Sequence, residues 1–82
     1  MQIRIGNMPS GVREEEIGEL VREYCQIGDI KIIEEGNPDK VMAYVHVELD
    51  RVGANNVAAK IQGRLWKERR LQTYVPLFGD EE

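Results

Sequence analysis

The feature that most constrains this chain is the way its apolar residues change period along its length. Residues 1–8 alternate, with Ile3 and Ile5 apolar and Gln2, Arg4 and Gly6 between them, which is the pattern of a half-buried strand. Asn7, Met8, Pro9, Ser10 and Gly11 carry turn chemistry and close it. From Arg13 the period becomes helical. Ile17, Leu20, Val21 and Tyr24 fall on one face, and Glu14, Glu15, Glu16, Glu19 and Glu23 on the other. Acidic residues in the first turn suit the positive end of the helix dipole. Ile27, Ile30 and Ile32 mark a second strand, broken by Gly36, Asn37, Pro38 and Asp39. A third strand spans Val41–Leu49, with Val41, Ala43, Val45 and Val47 on one face and Met42, Tyr44, His46 and Glu48 on the other. Asp50 is placed to cap a second helix whose inward residues are Ala54, Val57, Ala58 and Ile61, and Gly63 ends it. A basic segment, Arg64 to Arg70, then leads to a last strand, Leu71–Val75, which Pro76 terminates.

The order is therefore βαββαβ, an α+β class in which four strands form one antiparallel sheet. Two helices cover only one face of such a sheet, so the other face is expected to lie open. Function is expected on that face. With 82 residues the chain is read as one domain over residues 1–78, followed by a frayed acidic tail at 79–82. A chain of this length buries only about 60% of its unfolded surface, so the expected core is modest.

Composition bounds the function. No apolar run approaches the roughly 18 residues of a membrane span, and Arg4, Gly6 and Asn7 interrupt any N-terminal signal core. One cysteine, Cys25, precludes an internal disulfide and fits a reducing intracellular setting, nucleus and cytoplasm being indistinguishable. With His46 as the one histidine, the ligands for a structural zinc site are too few, and no metal or other cofactor is expected. There is no nucleophile–base pair and no phosphate-cradling glycine loop, so the chain is not read as an enzyme. The net charge of −4 is segregated. Residues 1–50 hold five Lys/Arg against eleven Asp/Glu, and residues 51–82 hold six against four, three of those acids being Asp80, Glu81 and Glu82. That division says more about partners than the total does.

The element order alone fits many ferredoxin-like domains of unrelated function, but the local sequence is more specific. Ile3-Arg4-Ile5-Gly6-Asn7-Met8 resembles the hexamer motif of the RNA recognition motif family: aliphatic, aromatic, aliphatic, any residue, Asn, Leu. Lys40-Val41-Met42-Ala43-Tyr44-Val45-His46-Val47 resembles its octamer motif, in which a basic residue, glycine and aromatics alternate around an aliphatic. Asp50 through Gly63 also match the family's second helix without a gap, ending in Gln62-Gly63 where Asn-Gly is usual. The resemblance implies a ferredoxin-like βαββαβ sandwich that binds single-stranded RNA on its open sheet. The octamer matches at Lys40, Ala43, Tyr44 and Val45, whereas Val41, Met42 and Val47 replace glycine and two aromatics. Arg4 stands where the hexamer has its base-stacking aromatic, so of the family's stacking positions only Tyr44 is aromatic here.

Tyr44 is thus the first candidate, because a base stacked on an aromatic ring contributes about 1–3 kcal/mol. Cross-strand packing is the competing role for a strand tyrosine. Arg4 should neighbour it and can stack on a base or hold a phosphate, as arginine's planar fork permits. Lys40 occupies the motif position that implies a phosphate contact, Met42 adds soft apolar surface, and Lys31, Ile33, Gln72 and Tyr74 should share the face. His46 is read as a sheet-surface residue without a catalytic role, and Cys25 as a buried, inert thiol at the end of the first helix.

The segment Arg64, Leu65, Trp66, Lys67, Glu68, Arg69, Arg70 carries four cations against one acid and can attract a phosphate backbone. A second reading stays open. The splicing-factor homology-motif branch of the same family resembles this chain in its degraded aromatics, its acidic first helix and an Arg-x-aromatic loop. That resemblance implies a tryptophan-bearing peptide held between the helices by Arg64, Trp66, Glu16, Glu19 and Glu23. The partners expected are single-stranded RNA or, alternatively, a peptide, with no membrane contact and a monomeric chain.

Overall fold

The computed structural model describes residues 1–34, 36 and 39–76. Its elements are β1 (Gln2–Met8), α1 (Glu14–Arg22), β2 (Ile27–Ile33), β3 (Val41–Val47), α2 (Arg51–Ile61), β4 (Leu65–Trp66), β5 (Arg69–Arg70) and β6 (Gln72–Tyr74). Four strands form one antiparallel sheet in the order β2-β3-β1-β6, and β4 and β5 form a separate two-stranded ribbon. The ferredoxin-like βαββαβ order is as expected; the ribbon is an addition within the basic segment. The tail and part of the turn before β3, with Asn37 and Pro38, lie outside the described residues.

Alternation in β1 and β3 builds the core. Ile3, Ile5, Val41, Ala43, Val45 and Val47 point to one face and are fully buried against Ile17, Leu20 and Val21 of α1 and Ala54, Val57, Ala58 and Ile61 of α2. The inward residues of both helices are those their spacing predicts, except Tyr24, which follows the end of α1 and is half-buried. Asp50 caps α2 by accepting the backbone N–H of Gly53 at 2.9 Å, and Gly63 takes the left-handed conformation just after the helix (φ +79°). The α1 N-terminus lacks a Ser or Asp cap; instead the Glu16 carboxylate accepts the backbone N–H of Arg13 at 3.0 Å.

Two irregularities correct the simple alternation. In β1 the register slips between Ile5, paired with Ala43, and Met8, paired with Val41, so three steps on one strand face two on the other. Asn7 absorbs the extra residue in the left-handed region (φ 65°), and Met8 turns into the core, fully buried. Met8 therefore belongs to the strand and not to the turn. A similar slip lies between Ile27 and Ile30 of β2. The last strand and β3 are each shorter than expected, with Leu71 fully buried just before β6 and Leu49 half-buried beyond β3.

At the other end of the sheet β6 is tied to α2. Thr73 donates its hydroxyl to the Ala58 carbonyl at 2.8 Å and its backbone N–H to Gln62 Oε1 at 2.7 Å. Gln62 thereby satisfies an edge N–H that would otherwise face solvent. No helix among the described residues is long and apolar enough to cross a membrane.

Candidate nucleic-acid interface

Antiparallel pairing places directly opposed side chains on the same face. Lys31 pairs with Tyr44, Tyr44 with Arg4, and Arg4 with Tyr74, so one row crosses the whole sheet on the face away from the helices. The next row runs Ile33 to Met42 through pairing, and Gly6 to Gln72. All the sheet-face candidates predicted from sequence except Lys40 thus fall into two adjacent rows; Lys40 is exposed at the residue before β3.

The geometry within the first row departs from a bare stacking platform. The Arg4 guanidinium carbon lies 4.5 Å from the Tyr44 ring centroid and 6.0 Å from that of Tyr74, within cation–π range of both. Its Nε donates to Gln2 Oε1 at 2.9 Å. Tyr44 is consequently half-buried, not the fully exposed ring its position suggests, and Tyr74, 56% exposed, is the more accessible aromatic. Among the described residues no carboxylate pairs with Arg4. Gln2 was not among the sequence candidates, although its spacing of two from Arg4 on a strand puts the two side chains on one face.

Beside Arg4 the surface dips into a shallow concavity of about 250 Å³, lined by Arg4, Gly6, Met42, Gln72, Thr73 and Tyr74. Gly6 forms its floor: a Cβ there would stand 3.7 Å from the Met42 methyl. His46 lies on the same face, about half exposed, 3.5 Å from Glu48. Cys25 lies beyond α1 and is half-buried, short of the full burial expected, and burial pushes its thiol pKa up.

The basic segment divides between two destinations. Arg64 reaches the helical side, where it donates to Glu23 at 3.2 Å and to the Tyr24 hydroxyl at 2.7 Å. Lys67 pairs with Glu16 at 2.9 Å and sits 5.4 Å from the Trp66 ring centroid. The hydrogen bond from Lys67, with that from the Arg13 backbone, holds the Glu16 carboxyl below its ordinary value. Arg69 instead donates to the Asp39 carbonyl, next to Lys40, and Arg70 to the Gly63 carbonyl at 3.1 Å. Only the second pair of cations is therefore directed away from α1.

Trp66 is half-buried against the core, and it borders an open cleft of about 220 Å³ with Glu16, Glu19, Leu20, Glu23 and Arg64. The residues assigned to the peptide reading are thus brought together, but Glu16 and Glu23 are already engaged by Lys67 and Arg64. Among the described residues no group of three His, Cys, Asp or Glu side chains is placed to hold a metal ion.

Comparison with known proteins agrees with this architecture. The third RNA recognition motif of Pes4 is similar over 99% of this chain and 96% of its own, with a TM-score of 0.81 and 15% identity. The third such domain of Mip6 matches over 89% of this chain and 88% of its own, at 0.79 and 16%. The RNA recognition motif of Rna15, in a structure with bound RNA (GU), matches over 94% and 83%, at 0.75 and 15%. No curated protein matches the chain. The sequence model of the RNA recognition motif spans residues 3–72, from β1 to the first residue of β6. That model covers most of the chain, including both central strands β1 and β3, and this chain belongs to the RNA recognition motif family.

Proposed function

We propose that the chain is a single-stranded RNA-binding module acting through the open sheet face. The observation that carries this reading is the row Lys31, Tyr44, Arg4, Tyr74, which sets two aromatic rings and two cations side by side on the uncovered face. Every base has a π-face, so rings spaced along a sheet accept successive bases with little sequence demand, while cations hold the backbone between them. Tyr44 supplies the central stack, backed by the Arg4 guanidinium. Tyr74 and Met42 flank it, Gln72 offers hydrogen bonds to base edges, and Lys31, Lys40 and Arg69 bear on phosphates from the sheet ends. The similarity to the Rna15 domain, whose structure holds bound RNA, supports an RNA ligand for this chain.

The chain as a whole is acidic, and its platform has two rings, so affinity is expected to be modest and strongly salt-dependent. Fluorescence anisotropy with short single-stranded RNA at low salt tests the reading. Tyr44→Ala should weaken binding by about five- to 150-fold, since a lost stack costs about 1–3 kcal/mol. Trp66→Ala should leave RNA affinity unchanged. The opposite pattern, with Trp66→Ala abolishing capture of a tryptophan-bearing basic peptide and Tyr44→Ala without effect on RNA, would assign the function to the helical side.

A further inference from the structure

The concavity beside Arg4 takes no part in stacking on Tyr44, and its chemistry is distinct. We infer that it seats one guanine base, read at its O6/N7 edge by the Arg4 guanidinium, so that Arg4 sets the base preference of this surface. The inference rests on the open sheet being an RNA-binding face.

The Arg4 Nε is taken by Gln2 Oε1 at 2.9 Å, and the guanidinium is held beside Tyr44 and Tyr74. The two terminal nitrogens remain, and among the described residues they have no acceptor. They form a donor pair on a side chain whose orientation is fixed from three sides, so little rotamer entropy is lost when an acceptor pair arrives. A rigid, in-plane donor pair fits two acceptors a short distance apart. Among nucleotide groups, that describes a phosphate or the O6/N7 edge of guanine.

The surroundings separate these two. The concavity next to the fork is bounded by the Met42 side chain, the Tyr74 ring and the bare backbone of Gly6, so its walls are predominantly apolar. A phosphate gains nothing from such walls and loses hydration there. A purine gains contact with all three. Adenine presents an amino donor where guanine has O6, so it would set donor against donor at Arg4. Gly6 makes the space: with ordinary backbone angles and no Cβ, it leaves open a floor that any other residue would raise toward Met42.

The test uses the full chain and short oligouridine strands carrying one central guanosine, 7-deazaguanosine or adenosine, compared by anisotropy at low salt. The guanosine strand should bind roughly tenfold more tightly than the adenosine strand, the discrimination of one bidentate pair. The 7-deazaguanosine strand, which lacks the N7 acceptor, should fall below guanosine as well. Arg4→Lys keeps the charge and loses the fork, so it should erase the preference. Gly6→Val should erase it by filling the floor, and Gly6→Ala, whose Cβ stands 3.7 Å from the Met42 methyl, should fold and reduce it in part; a preference unchanged in both variants would overturn the site. Equal binding of all three strands, with Tyr44→Ala still weakening each, would overturn the guanine site while leaving the RNA-binding face standing. A uniform loss across strands in Arg4→Lys, with the preference intact, would make Arg4 a phosphate contact and overturn it too. If no strand binds, the sheet-face reading fails and the guanine site with it.

Discussion

Arg4 changes the meaning of its neighbours. In the family pattern its position carries a ring; here a guanidinium lies against the Tyr44 ring and beside Tyr74, tethered by Gln2. A contact of this kind at a partly exposed site contributes about 0.5–1 kcal/mol, a bias toward this rotamer that adds to the hydrogen bond donated to Gln2. The same scale shows where charge is already spoken for. Glu16 accepts from Lys67 and from the Arg13 backbone, and its carboxyl pKa lies below the ordinary 4.5. A lowered carboxylate pKa means that the native state favours the ionised form. Its contribution is present above the ordinary value and is lost as pH falls through the lowered one. Carboxyl NMR titration should therefore show Glu16 ionising below the ordinary glutamate value, and Lys67→Ala should bring it back toward that value. A Glu16 curve unchanged by Lys67→Ala would remove the ion pair from the account.

At the scale of elements, α2 begins on a side-chain cap that the sequence announces, and removing it has a defined cost. Asp50→Ala should destabilise the fold by about 1 kcal/mol, read as a shifted denaturant midpoint with unchanged slope. The ribbon of β4 and β5 is less conventional. Its two-residue turn, Lys67 and Glu68, has both residues at positive φ (50° and 66°), the geometry that usually calls for Asn-Gly. Glu68→Gly should relieve about 1 kcal/mol of that strain and raise the midpoint; a fall would mean that Glu68 holds a contact worth more than its strain. This turn explains why the ribbon was illegible: Lys-Glu carries no hairpin signal, and four cations in seven residues read as a charged segment. The bulges were hidden differently. Ile5 and Met8, like Ile27 and Ile30, are three residues apart, which breaks strict alternation unless an extra residue is absorbed. Asn7 absorbs it in β1. The core positions of β3 and both helices, by contrast, follow directly from periods of two and 3.6, because nothing interrupts them. The open face itself followed from element order, but Arg4's placement over Tyr44 required the register and the side-chain torsions, which no spacing encodes.

Across the whole molecule the charge segregation seen along the chain resolves into an internal contact and an outward one. The acidic face of α1 is closed in part by Arg64 and Lys67, whereas Arg69 is drawn to Asp39 beside Lys40, at the end of the sheet where β3 begins. An acidic protein can in this way leave its sheet, with Lys31, Arg4 and Lys40, free of the helix's carboxylates. Exposed pairs of this kind are weak and salt-screened, so they orient the surface more than they stabilise it. Whether RNA engages the sheet or the helices is tested most directly by following backbone amides in an NMR titration with a pool of short single-stranded RNAs at low salt. The expected result is progressive shifts at Arg4, Tyr44 and Tyr74, with the amides of Glu19 and Glu23 still, and a loss of those shifts as salt is raised. Still sheet-face amides at low salt, or shifts confined to α1 and the ribbon, would contradict binding at the sheet.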